Sequence, residues 1–305
     1  DLKVHDNFPA PLVDGYTVEG KLYGIPKDFD TNAVFYNKEI FDQAGVAYPT
    51  DGWTFEDFRK TCEDLQAAGL PDGVYPTAIN RNSGQTTYDA AVFANGGYFL
   101  NEDNTETGWD KKETIEGIQP WLDLVLDGLS PTLQQMTDTD PDSMFQGGQL
   151  AMYFSGNYMI PSYNKTLEGK YGIVKRPSFN GVDKDIINGL AFSVSANHPE
   201  EAKDFALWLG SKEAQEIQGK SGTVISARND CQELFLDTHK DLNLQVFLDN
   251  VPNTELLPHC KVTAKLSQVE KTYLEQAWQG EITLEEACKS IKPEADAILD
   301  EMNAK

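Results

Sequence analysis

Apolar positions in this chain follow two rhythms that alternate along its length. Phe55, Phe58, Cys62 and Leu65 are three or four residues apart and mark one face of a helix over 54–69. Thr54 is placed as its N-cap, and Asp57 three residues later completes a capping box. Trp53 and Phe58 sit where a hydrophobic staple requires them, which gives Trp53 a structural role, and Gly69 supplies the stop. Ile115, Ile118, Leu122, Val125 and Leu126 predict a second amphipathic helix over 114–128, with Trp121 packing beside the stripe. Pro199 opens a further helix that turns Ala202, Phe205, Ala206 and Leu209 inward. A long helix spans 262–278. Thr283 and Glu286 form another capping box, ahead of Leu284, Ala287, Cys288 and Ile291. Pro293 predicts a bend or break in that last helix, because it removes a ladder donor and crowds the preceding turn.

Shorter runs carry the second rhythm. Leu22 to Pro26 ends one extended run, Ala33–Tyr36 forms another, and Leu150–Phe154 reads as a strand ending at Ser155 and Gly156. Strands alternating with helices predict an α/β fold. Between the first two strands lies Lys27–Asn32, six residues rich in hydrogen-bonding groups. An exposed polar segment there is either an ordinary turn or the floor of a site.

At 305 residues the chain has room for two domains, and 40% apolar content excludes a disordered polymer. No apolar run reaches the length of a membrane span and no signal peptide is visible, so a mature or truncated soluble form is expected. A net charge of −24 and a pI of about 4.4 repel nucleic acid and anionic lipid, and neither is expected as a partner. Cys62, Cys231, Cys260 and Cys288 show neither C-x-x-C nor zinc spacing. Cys62 and Cys288 fall on apolar stripes and read as small core residues; free thiols are favoured over a Cys260–Cys288 bridge. His5, His198, His239 and His259 lie far apart, so no metal site follows from them. With 49 acidic residues, carboxylate pairs arise by chance. No G-x-S-x-G, H-E-x-x-H, P-loop or dinucleotide fingerprint is present. Catalysis is not supported, and no cofactor is called for.

Gly20–Phe41 reads GKLYGIPKDFDTNAVFYNKEIF. It resembles the G-K-x-Y-G-x-P … Y-N-K-x-x-F signature of the extracellular solute-binding proteins of ABC importers. More narrowly, it resembles the sugar-binding family that includes maltose-binding protein. Four later segments are similar to that family in the same order: Tyr48–Phe58, Ala94–Tyr98, Phe145–Tyr158, and Asn188–Ser195 with His198–Phe205. Together they cover nearly the whole chain. The resemblance implies a two-lobe, type II periplasmic-binding-protein-like fold. Its first lobe would be incomplete, because the family places the Gly20–Pro26 motif deeper in that lobe. The implied lobes are 1–28 with 194–237, and 33–189 with 244–305. Their hinge crossings fall near 28–33, 189–194 and 237–243.

The resemblance also implies a ligand site for sugar between the lobes. Hydroxyl edges call for carboxylates and amides, and apolar ring faces call for aromatics. Asp30 matches an acidic ligand position on the first crossing, with Lys27, Asp28 and Asn32 as neighbours. Tyr158 stands where the family often places an aromatic against sugar; its other reading is a tyrosine packed at a strand end. Gln85 and Arg81 lie on a polar loop that is either the family's contact loop or solvated surface. Asn188 and Gly189 offer an amide and a bare backbone, for ligand or for a turn. The family's late aromatic is absent, since the chain reads Ala264 to Gln268 there. The implied function is capture of an oligosaccharide by a monomer and delivery to ABC permease subunits in the membrane. The implied location is the extracellular face of the cytoplasmic membrane, lipid-anchored, or the periplasm. Two alternatives stay open: an extracellular glycoside hydrolase, and the same fold binding a non-sugar ligand.

Overall fold

The computed structural model describes residues 2–80, 84–194 and 197–304. Among the described residues nine strands run in chain order: β1 (Thr17–Val18), β2 (Lys21–Leu22), β3 (Ile25–Asp30), β4 (Asn32–Asn37), β5 (Met152–Gly156), β6 (Tyr171–Lys175), β7 (Asp185–Phe192), β8 (Ile225–Ser226) and β9 (Thr254–Leu256). Helices separate β4 from β5, β5 from β6, β7 from β8 and β8 from β9, giving a mixed α/β chain. The residues fall into two compact units. Unit 1 holds Asp1–Ala33, Ser155–Lys175 and Asp185–Leu256; unit 2 holds Val34–Phe154, Arg176–Lys184 and Leu257–Lys305. Residues 155–175 and the whole of β7 thus cluster with the N-terminal segment rather than with 34–154. Backbone pairing accounts for β7, which lies against β3 over five register pairs.

Unit 1 is built on a four-stranded sheet in the order β8-β3-β7-β9. β3 is antiparallel to β7 and β8, and β7 runs parallel to β9. The polar segment Lys27–Asp30 is therefore strand, contrary to the loop expected for it. Its backbone is bonded on both edges, and that pairing overrides the weak strand propensity of lysine and aspartate. A register shift between Pro26 and Asp28 marks a bulge. The Lys27 carbonyl, displaced from the ladder, accepts from Gln218 Nε2 at 2.7 Å and from the Ala227 amide at 3.2 Å. Phe29, Ile186, Ile187 and Ile225 are buried at the centre of this unit, with Leu12 and Phe247.

Unit 2 shows the helices most faithful to local sequence signals. Thr54 caps Phe55–Ala67, with the Asp57 amide donating to its hydroxyl and its own amide donating to the Asp57 carboxylate at 2.9 Å. Phe55, Phe58, Cys62 and Leu65 are all buried. The Trp53 ring meets Phe58 edge-on at 5.8 Å, the staple contact. Phe58, Trp121 and Phe154 form a ring cluster with centroids 5.0–6.0 Å apart. Truncating Phe58 there would cost about 3–5 kcal/mol.

Three helix expectations change. In Lys112–Leu126, where Trp121 packs as expected, the buried face also takes in Leu124, while Leu126 points to solvent. In Leu284–Asn303 the break offered as one outcome at Pro293 does not occur: the helix continues through it, with Pro293 on the exposed face where water can take up the carbonyl left without a donor. In Pro199–Leu209 only Ala206 is buried. Phe205, expected inward, is 60% exposed and stacks on Trp208, itself 43% exposed, at 5.9 Å and 12°.

Candidate functional site

β3 and β7 place Asp30 directly opposite Asn188, and Phe29 opposite Gly189. Of the two readings of Asn188–Gly189, ligand contact or turn, the turn is replaced by strand. Gly189 permits the approach: a Cβ there would stand 2.5 Å from the Asp28 carbonyl oxygen, a backbone atom that cannot yield. The Tyr16 hydroxyl donates to the Gly189 carbonyl at 2.5 Å and ties the strand to the N-terminal segment. β5 ends at Gly156, and the short 3-10 turn Asn157–Met159 follows. Gly156 has a steric role as well. A Cβ on it would lie 2.5 Å from the Tyr158 ring and 2.8 Å from Asp30 Oδ2, so ring and carboxyl close over the same bare backbone.

These three pieces of chain enclose a cavity of about 130 Å³, lined by Asp28, Phe29, Asp30, Asn157, Tyr158, Asn188, Gly189, Leu190 and Val224. Four residues singled out from sequence (Asp30, Tyr158, Asn188 and Gly189) meet here. Tyr158 is 45% exposed and lies over Gly156 at the end of β5. The cavity is polar on the carboxyl and amide side and apolar at Leu190 and Val224.

Its electrostatics centre on Asp30. Burial first, then the nearby Asp185 and Asp28 carboxylates, pushes Asp30 up to about 8, against a backbone hydrogen bond that acts the other way. Asp28 is engaged by the Lys27 ammonium and accepts from the Leu190 amide at 3.2 Å. Burial, reinforced by Asp28, also raises the Tyr16 phenol.

The remaining sequence candidates are placed differently. Lys27 pairs with Asp28 and does not line the cavity. Asn32 is fully buried as a structural residue: its amide nitrogen donates to Asp185 Oδ2 at 2.7 Å and its Nδ2 to Asp185 Oδ1 at 2.9 Å. Its ligand role is corrected accordingly. Gln85 belongs to unit 2, half-buried in the turn before the helix Asp89–Ala94, and is not part of the unit 1 cavity. Arg81 lies outside the described residues. Asn157 escaped the sequence reading; the signal available was an amide immediately before the aromatic position. Asp185 and Asn250 were also missed, because only the tertiary fold brings them to Asn32.

Unit 2 contains a second polar cluster. Burial and then the neighbouring Glu270 carry Asp89 to about 8, with Arg176 opposing. Burial takes Glu270 to about 7, moderated by the Trp109 indole N–H. Arg176 donates to the Thr87 carbonyl at 2.8 Å. Among the described residues no group of three or more His, Cys, Asp or Glu side chains could hold a metal ion. Among the described residues no helix is long and apolar enough to cross a membrane.

Comparison with known proteins bears on this geometry. The family model of the bacterial extracellular solute-binding proteins matches residues 1–216. The arabinooligosaccharide-binding protein of Bacillus subtilis is 27% identical over 69% of this chain and 50% of its own length. An ABC substrate-binding protein from Listeria monocytogenes, solved in complex with cycloalternan, superposes with a TM-score of 0.85 at 23% identity, over all of this chain and 76% of that one. The cyclic α-maltosyl-1,6-maltose-binding protein of Arthrobacter globiformis gives a TM-score of 0.78 at 18% identity, over 96% and 76%. The fold is that of the two-lobe, type II binding proteins, and the chain belongs to the bacterial extracellular solute-binding proteins.

Proposed function

We propose that this chain is the carbohydrate-capturing component of an ABC importer and that the unit 1 cavity contacts one ring of an oligosaccharide. The observation that carries the reading is the convergence of the Tyr158 ring, the Asp30 carboxyl, the Asn188 amide and the bare backbone of Gly189 on one space. An exposed aromatic face suits the apolar side of a sugar ring, and the carboxyl and amide suit its hydroxyl edge. The volume of about 130 Å³ is below that of a pocket enclosing a drug-sized ligand, which points to one residue of a longer chain. The sugar-binding names of the relatives support the same class of ligand. In this reading the protein is a monomer, held by a lipid anchor outside the cytoplasmic membrane or resident in the periplasm, and hands its ligand to permease subunits.

A hydrolase would need a second carboxylate offered to substrate. Asp28 is engaged by Lys27 and the Leu190 amide, and Asp185 by Asn32 and Asn250, so capture without chemistry is the better reading. The test is calorimetric titration with maltotriose, arabinotriose and galactotriose, with reducing ends assayed afterwards. Stoichiometric binding of at least one sugar with no new reducing ends is expected. New reducing ends, or no binding at all, would overturn the proposal.

A further inference from the structure

Asn157 opens the 3-10 turn after β5 and lines the unit 1 cavity, yet its residue surface is 0% exposed. Its Nδ2 donates to the Phe29 carbonyl at 3.2 Å, which fixes the orientation of the amide. The other side-chain atom, Oδ1, is buried with no hydrogen-bond partner. A buried amide oxygen left in that condition is costly, and native folds keep few of them. Asn157 is one of the residues lining the cavity, and a ligand donor that displaces the cover over its oxygen there would satisfy it.

Asp30 stands on the same wall. The titratable groups near it are Asp28 from its own strand, Asp185 from β7 and the Tyr158 phenol from the turn, while Lys27 is held by Asp28 outside the cavity lining. β8 contributes only the uncharged Ile225 and Ser226. Lys27 is engaged by Asp28, so the net field at Asp30 is set by carboxylates. With its titration near 8, Asp30 carries a proton at neutral pH and presents an O–H.

We propose that Asn157 contacts the ligand through its buried oxygen, and that Asp30 works beside it as a neutral acid, so that the pair reads uncharged hydroxyl groups as acceptor and donor. The inference rests on the carbohydrate reading and sharpens it: the preferred ligand is a neutral polyol, not a sugar bearing an ammonium or a carboxylate. It also sets the sign of the pH dependence. Affinity stays level up to pH 7. It falls as Asp30 ionises, approaching tenfold per unit above about 8, because the donor is lost and a negative charge appears against sugar oxygens.

The experiment titrates wild type with whichever of maltotriose, arabinotriose and galactotriose binds most tightly, from pH 6 to 9.5, alongside three variants. Asp30→Asn keeps a donor that cannot ionise, and is expected to bind within about threefold of wild type at pH 6 and to lose the alkaline decline. Asn157→Leu removes the acceptor at similar size, together with the donor to the Phe29 carbonyl, and is expected to weaken binding at least tenfold in a protein that still folds with a lowered melting temperature. If that variant does not fold, Asn157→Asp, which retains an oxygen, is expected to bind at pH 6 and to weaken as the new carboxylate charges. Affinity that rises with pH overturns the inference, as does Asp30→Asn abolishing binding at pH 6 or Asn157→Leu binding like wild type. Each of those outcomes leaves sugar capture standing, whereas failure of every sugar to bind wild type would remove both.

Discussion

Asp30 and Asn188 face one another across β3 and β7, and the pairing of those strands brings acid and amide to one cavity. The approach depends on Gly189, whose neighbour is the Asp28 carbonyl. Gly189→Val should therefore spread the two strands. We expect a loss of about 1–3 kcal/mol in stability together with loss of sugar binding. Asn188→Ala should leave the melting curve unchanged and weaken binding only by the value of a hydrogen bond, about 0.5–1.5 kcal/mol. Thermal denaturation and calorimetry on the two variants separate these effects; a Gly189→Val protein as stable as wild type would contradict the close-approach argument.

Asp185 should prove structural. Its carboxylate accepts from the Asn32 amide and Nδ2, from Asn250 Nδ2 at 3.0 Å and from the Ile186 amide at 2.8 Å, all within unit 1. Asp185→Ala would leave several buried donors without an acceptor, each costing about 1–3 kcal/mol. A fall in the urea midpoint equivalent to about 3 kcal/mol or more, with an unchanged m-value, is expected. A loss under about 1 kcal/mol would show that the network relaxes easily.

The buried acids of unit 2 predict how stability varies with pH. Asp89 titrates near 8 and Glu270 near 7 in the folded chain, both raised chiefly by burial. Unfolded, they would titrate at about 3.9 and 4.3. Between about pH 4 and 8 the folded state therefore holds more protons than the unfolded state, so stability declines as pH rises through that window and levels off above it. Asp89→Asn should flatten the decline, raising the melting temperature relative to wild type at pH 8.5 by about 2 °C or more while changing little at pH 5. Melting curves at the two pH values check this, and an equal shift at both would contradict it.

What could be read from sequence was mostly local. The capping boxes at Thr54 and Thr283 and the stripe of Phe55, Phe58, Cys62 and Leu65 form as expected, because neighbours within one turn decide them. Asp30, Tyr158, Asn188 and Gly189 were found through motif order, and the fold gathers them at one cavity. Lys27–Asp30 misled because two flanking strands, distant in sequence, impose the extended conformation on polar residues. Asn32 was taken for a ligand residue because its partner Asp185 lies 153 positions away. Phe205 was expected inward on periodicity alone, which identifies an apolar face but not whether anything covers it. Asn157 carries only a weak signal, an amide beside the aromatic position; the environment of its oxygen makes it informative.

The account stands or falls on whether carbohydrate meets the Tyr158 ring in the unit 1 cavity. Calorimetric titration of Tyr158→Ala with the sugar that wild type binds most tightly tests this directly. About tenfold or greater loss of affinity in a protein with an unaltered melting curve is the predicted result, since the aromatic face supplies both apolar area and stacking. Wild-type affinity in that variant would contradict it.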